Sequence, residues 1–107
     1  MKFKEQPWIP ADATDYIHEI SKNPSEIAYK LHAKERMEER NILTGDVLYV
    51  LRNGYVYEDP EPATRGFFRY KVEYVSPNSG KRTLRVVVLA DEKQRSLKII
   101  TVMFVDE

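Results

Sequence analysis

Apolar residues recur at helical spacing along the first half of the chain and at every other position along the second half. Residues 1 to 11 hold Pro7, Trp8 and Pro10 and read as an irregular arm whose indole docks on the body. From a candidate N-cap at Asp12, the positions Ala13, Tyr16, Ile17 and Ile20 follow a helix period until Asn23-Pro24 stops it. Ile27, Tyr29 and Leu31 then alternate with polar or small residues, which predicts a short extended piece, although Ser25 also suits the cap of a helix running onward. Ala33 to Arg40 consists of strong helix formers with Ala33 and Met37 as an inward stripe. A third helix is predicted from an N-cap at Thr44, with Asp46 in its first turn, Val47, Leu48, Val50 and Leu51 as its apolar face, and Gly54 as a left-handed C-cap.

After Gly54 the period changes to two. Strands are predicted at Tyr55 to Glu58, Phe67 to Val75, Arg82 to Asp91 and Ser96 to Val105, and the loops Ser76 to Gly80 and Glu92 to Arg95 are short enough for hairpins. The expected fold class is α+β, with N-terminal helices packed on a four-stranded antiparallel meander sheet. A tight hairpin that sets Val75 against Lys81 puts Phe68, Tyr70, Val72 and Tyr74 on one face with Leu84, Val86 and Val88. Closing the next hairpin between Ala90 and Ser96 adds Ile100, Val102 and Phe104 to that face. The opposite face then carries Arg69, Lys71, Glu73, Thr83 and Arg85, with Thr101 beside Arg85. Val87, Leu89, Leu97, Ile99 and Met103 also fall there and call for cover by a helix or by the Trp8 arm.

The length, 107 residues of which 42% are hydrophobic and 32% charged, fits one small domain spanning residues 1 to 107, made of an arm and helix over residues 1–25 and a core over 26–107. There is no cysteine, so a disulfide scaffold or a Cys-dependent zinc site is excluded, and His18 and His32 are the only imidazoles. The N-terminal stretch has no apolar signal region, and the longest apolar runs, Val86 to Ala90 and Val102 to Val105, fall far short of the ~20 residues a membrane span needs. A cytoplasmic location is expected.

Formal net charge is zero, with 17 basic and 17 acidic residues, which removes the simplest argument for a phosphate-gripping domain. The charge is nevertheless sorted along the chain. Arg65 to Arg85 carries +5, against −2 over residues 1 to 29, +1 from Lys30 to Gly54, −3 from Tyr55 to Thr64 and −1 from Val86 onward.

A Gly-rich phosphate loop, an HExxH helix, a Gly-x-Ser-x-Gly elbow and a Cys/His pair are all absent, so no cofactor or metal is implied. What remains is Arg, Lys, His and Tyr without a carboxylate pair, a set suited to phosphodiester chemistry. In RNA cleavage by the 2′-hydroxyl, a cation stabilises charge on the phosphate while His or Tyr moves protons. His32 and Arg36 lie four apart at a helix start and Arg40 continues the row, while Arg69, Lys71 and Arg85 converge on the sheet face. Ordinary roles compete with these: capping for His32, pairing of Arg36 and Arg40 with Glu35, Glu38 and Glu39, cross-strand pairing of Arg69 or Arg85 with Glu73, and core or strand packing for Tyr55, Tyr57, Tyr70 and Tyr74.

The segment His32-Ala-Lys-Glu-Arg-Met-Glu-Glu-Arg-Asn-Ile, followed by Gly45-Asp-Val-Leu-Tyr-Val-Leu-Arg-Asn-Gly54, resembles the family called domain of unknown function 4258. Arg69-Tyr-Lys-Val, Leu84-Arg-Val-Val-Val and Leu97-Lys-Ile-Ile-Thr-Val match its strand motifs in order, so the resemblance spans about Ile27 to Val105. That family is similar to RelE/ParE-like and BrnT-type toxins, helix-then-sheet proteins that cleave messenger RNA, in part on the ribosome, and are silenced by a cognate antitoxin. The resemblance implies a toxin-like ribonuclease. It carries over His32, Arg36 and Arg40 as motif positions and Arg69, Arg85 and Thr101 on strands. In the resulting reading His32, Arg69 and Arg85 are catalytic, and Arg36, Arg40, Lys71 and Thr101 hold RNA. The neutral charge and the absence of a base/acid pair favour the alternative, a non-catalytic protein- or nucleic-acid-binding module on the same scaffold. A small-molecule enzyme using the same sheet face is a third reading, which no cofactor motif supports.

Overall fold

A computed structural model describes all residues, 1–107. Helix α1 runs Pro10–Ser21, starting two residues before the expected cap because Pro10, whose ring presets φ, occupies the first helical turn. Its buried stripe includes Ala13, Tyr16, Ile17 and Ile20, as the spacing predicts. A 3-10 turn at Pro24–Glu26 leads into strand β1, Ile27–Tyr29, and then helix α2, Leu31–Glu39, whose buried residues are Ala33 and Met37. Helix α3 spans Thr44–Asn53. Its N-cap is Leu43 rather than Thr44, and the Asp46 carboxylate reaches back to accept the Leu43 N–H at 2.9 Å.

Gly54 closes α3 in extended conformation, φ −81°, and not as the expected left-handed cap. Glycine is required there for space. A Cβ would stand 2.6 Å from the Val50 carbonyl oxygen and 2.8 Å from that of Glu73.

The remaining strands are β2 (Tyr55–Val56), β3 (Glu61–Pro62), β4 (Phe68–Val75), β5 (Thr83–Asp91) and β6 (Ser96–Phe104). The expected four-stranded antiparallel meander is corrected to a six-stranded mixed sheet ordered β1-β6-β5-β4-β2, with β3 also paired to β4. β1 lies parallel to β6, Ile27 opposite Leu97 and Tyr29 opposite Ile99, an arrangement that only the long crossover between them permits. The predicted Tyr55 to Glu58 strand is cut to two residues, and the chain pairs with β4 again at Glu61 and Pro62. Pro60 and Pro62 lack the N–H a continuous ladder needs.

Val75 faces Thr83, not Lys81, because the β4–β5 loop is a wider turn held by Ser76 and Ser79. The two-residue difference is even, so both faces keep the predicted residues. Between β5 and β6 a register shift at Val87/Val88, a β-bulge that leaves Ile100 of β6 without a partner, changes the outcome. Leu97 and Ile99 turn to the helices and are buried, while Ile100, expected in the core, is only half-buried. Val102 and Phe104 pack inward as predicted.

All three helices contribute to one core against this inner face. The arm joins them: Trp8 is 1% exposed, stacks on Tyr70 at 5.3 Å between ring centroids and meets Tyr16 edge-on at 4.8 Å. Tyr70 is an inner-face residue, so the arm extends the helical layer and does not cover the outer face, where Leu89, Ile100, Thr101 and Met103 stay half-buried. No helix is long and apolar enough to cross a membrane.

Candidate functional site

Once Ala33 and Met37 face inward, the helical period carries His32, Arg36 and Arg40 onto one flank of α2, beside β6. Together with Thr101, Val102, Met103 and Glu107 they line an open hollow of about 270 Å³. Four of the residues singled out from the sequence, His32, Arg36, Arg40 and Thr101, therefore meet in one place.

Within it, Arg36 Nε donates to His32 Nε2 at 3.4 Å, which makes that nitrogen the acceptor and gives Nδ1 the proton in this arrangement. The Arg36 Nη1 atom is 3.7 Å from Glu39, a loose contact that leaves most of its donors toward solvent. Arg40 is held more firmly. Its Nε donates to both Glu107 carboxylate oxygens at 2.6 and 2.7 Å, and its Nη1 lies 3.1 Å from Glu39. The hydrogen bond to Arg40 holds the Glu107 carboxyl below the usual carboxylate range, and the same bond raises Arg40.

The strand cations share the outer sheet face but do not line this hollow. Arg85 stands opposite Glu73 on one side and Met103 on the other, and its Nε is 2.8 Å from Glu73 Oε2, a half-buried cross-strand pair. Lys71 Nζ sits 3.4 Å from both Glu58 and Glu61. Arg69 is exposed, touches the Pro62 carbonyl at 3.4 Å, and lines a separate hollow of about 400 Å³ with Lys30, Thr64, Leu89 and Ile100. The single constellation expected from the sequence is thus divided.

Lys30, Met103 and Glu107 are site residues that the sequence pattern does not single out. Lys30 precedes a helix that begins two residues earlier than its run of helix formers predicts, and Glu107 lies 67 positions from the arginine it holds. Asp46, the one buried carboxylate, accepts from Ser76 Oγ at 2.6 Å and from the Leu43 N–H, so it ties α3 to the β4–β5 loop and takes no part in the hollow. His18 serves structure too, its Nε2 being 2.7 Å from the Gly54 carbonyl oxygen. Tyr70 is core, but Tyr55, Tyr57 and Tyr74 are exposed and with Tyr49 form a cluster of ring contacts near the β2 edge, at the far side of the sheet from α2. No three His, Asp or Glu side chains gather as a metal site would need.

Comparison with curated proteins found no match, and comparison with solved structures found none. A family model described as a domain of unknown function, DUF4258, matches residues 29–104. The match takes in the end of β1, the whole of the α2 flank that carries His32, Arg36 and Arg40, and the strands that follow it through Phe104, and leaves the arm and α1 outside. On that coverage, the chain belongs to the DUF4258 family.

Proposed function

We propose that the protein is a toxin-like, metal-independent endoribonuclease with its active centre in the α2–β6 hollow. The observation that carries this reading is the convergence of an imidazole, two guanidinium groups and a hydroxyl, His32, Arg36, Arg40 and Thr101, around one solvent-open space. In the proposed step Arg36 turns from His32 Nε2 to the phosphate, and the nitrogen it frees takes the proton from the RNA 2′-hydroxyl, whose oxygen attacks the adjacent phosphorus. The bond to the 5′ oxygen breaks, that oxygen takes a proton from water, and the products are a 2′,3′-cyclic phosphate and a 5′-hydroxyl. Arg36, the guanidinium with free donors, stabilises the charge that builds on the phosphate. Arg40, already fixed by Glu107 and Glu39, and Thr101 orient the backbone.

Arg85 and Lys71 are assigned to the sheet, since each is occupied by a carboxylate and, unlike Arg40, neither lines the hollow. The helix-then-sheet order is compatible with a RelE/ParE- or BrnT-like toxin scaffold, and the proposal extends to a cytoplasmic protein that acts on messenger RNA and is held by a cognate antitoxin.

Induction in bacteria without a partner protein is expected to arrest growth, and His32→Ala and Arg36→Ala are each expected to relieve the arrest. Purified protein is expected to leave 2′,3′-cyclic ends on single-stranded RNA. A second reading, a binding module without turnover, is favoured by the carboxylate partners of Arg40 and Arg85. RNA binding with intact transcripts would select it, and neither binding nor cleavage would end both readings.

A further inference from the structure

We infer that the Lys30–Arg69 hollow is a second anion subsite, one that holds the neighbouring nucleotide of the same single strand. This rests on the RNA-binding part of the reading above and not on its chemistry. The hollow of about 400 Å³ has two cations in its lining and no carboxylate. Lys30 makes no ion pair, and Arg69 has only the long contact to the Pro62 carbonyl, whereas Arg40, Lys71, Arg82 and Arg85 each have an acid within 3.4 Å. Unpaired guanidinium and ammonium groups facing a cavity are what a phosphate exchanges its counterions for.

The same hollow has an apolar floor, to which the half-buried side chains of Leu89 and Ile100 belong. An apolar floor beside a cation pair suits an unstacked base attached to its phosphate, which a duplex cannot offer. The β-bulge links this subsite to the first hollow. Ile100 lines one and Thr101 the other, so a single peptide bond separates their walls. The same junction recurs on the helix side, where Lys30 N–H donates to the Ile99 carbonyl at 3.0 Å and His32 follows two residues later. Two adjoining anion-binding hollows match a ligand whose charge repeats at each nucleotide.

The test uses the full chain and oligodeoxyuridylates, which lack the 2′-hydroxyl and cannot be cleaved. A six-nucleotide strand is expected to bind at least about tenfold more tightly than a dinucleotide, because a dinucleotide carries a single phosphodiester and occupies one anion site, whereas the longer strand occupies both. Lys30→Gln with Arg69→Gln is expected to remove that gain, leave dinucleotide binding unchanged, and flatten the log–log salt dependence of hexamer binding by about 0.7, the amount for the one single-strand phosphate that is no longer neutralised. Both residues are exposed, so circular dichroism of the variant should match the parent. Unchanged hexamer affinity and salt slope in the variant would overturn the subsite even if RNA cleavage is found. Loss of hexamer binding in the variant would establish it even if no cleavage is ever detected. Duplex binding as tight as single-strand binding would refute the role given to the apolar floor.

Discussion

Tyr70→Phe isolates one oxygen atom in the core and tests whether the arm is part of the folded unit. The phenol is fully buried. It donates to Gln6 Oε1 at 3.0 Å and accepts the Trp8 N–H at 3.1 Å. Removing it leaves that N–H buried without an acceptor, a loss of about 1–3 kcal/mol from a domain whose total stability is on the order of 5–15 kcal/mol. With a urea slope of about 1–3 kcal/mol per molar, the unfolding midpoint at pH 7 should fall by roughly 1 M at an unchanged slope. The same atom predicts an alkaline signature. Burial pushes the Tyr70 phenol from 10.0 up to about 12, partly offset by the Trp8 N–H, which favours the ionised form.

A folded-state value above the unfolded one means that the native protein holds its proton longer. The contribution is therefore complete below pH 10, fades as pH rises through 12, and amounts to about 3 kcal/mol for a rise of that size. Urea melts at pH 7, 10 and 12 should show the parent losing stability faster than Tyr70→Phe, so that their difference shrinks with pH. Parallel pH profiles would refute the argument, as would a midpoint at pH 7 indistinguishable from the parent.

Gly54→Ala places a Cβ too close to two backbone oxygens that belong to α3 and β4, and should cost about 2–3 kcal/mol in the same urea assay. A neutral result would mean that the α3–β4 junction opens freely. Glu107→Gln removes a carboxylate held below its usual range by Arg40, so its stabilising effect is present above the ordinary value of 4.5 and fades as pH falls below it. Acid melts of the parent should steepen below pH ~5 relative to the variant. The freed Arg40 should also bind inorganic phosphate more tightly by calorimetry, and unchanged phosphate binding would count against an anion role for Arg40.

The parts of the fold legible from the sequence are those in which one face is apolar and the other is not. Alternation from Phe68 to Tyr74 and from Leu84 to Ala90 assigns the faces correctly, and an even error in hairpin register leaves them intact. In β6 the alternation fails, because Leu97, Ile99, Ile100, Val102 and Met103 are apolar at odd and even positions alike. No local pattern reveals which pair the bulge divides. The parallel contact of β1 with β6 is a long-range hydrogen-bonding choice that three residues do not encode. At the site, the row His32, Arg36 and Arg40 follows from helical geometry and is readable. The partners that distinguish one arginine from the next, Glu107 for Arg40 and Glu73 for Arg85, depend on tertiary proximity and register.

The same distinction decides what the charge sorting means. Along the chain, Arg65 to Arg85 is strongly cationic and Tyr55 to Thr64 strongly anionic. Folding brings the two together, since β3 pairs with β4 and sets Glu58 and Glu61 around Lys71, while Asp106 takes Arg82 and Glu73 takes Arg85. Ion pairs at these distances cancel within a Debye length of about 8 Å, so three of the segment's six cations, Lys71, Arg82 and Arg85, exert little field on a ligand. In the two hollows that meet at Ile100 and Thr101, the cations left without a close acid are Arg36 on α2, Lys30 at its start and Arg69 on β4, only one of them from the cationic segment. Nucleic-acid affinity should then show the shallow salt dependence of two or three phosphate contacts, and substitution of Arg85 or Lys71 should disturb the sheet more than binding. A steep salt dependence, or binding abolished by Lys71→Gln in a folded protein, would mean that the carboxylate partners yield to RNA and that the sequence-level charge is the relevant one.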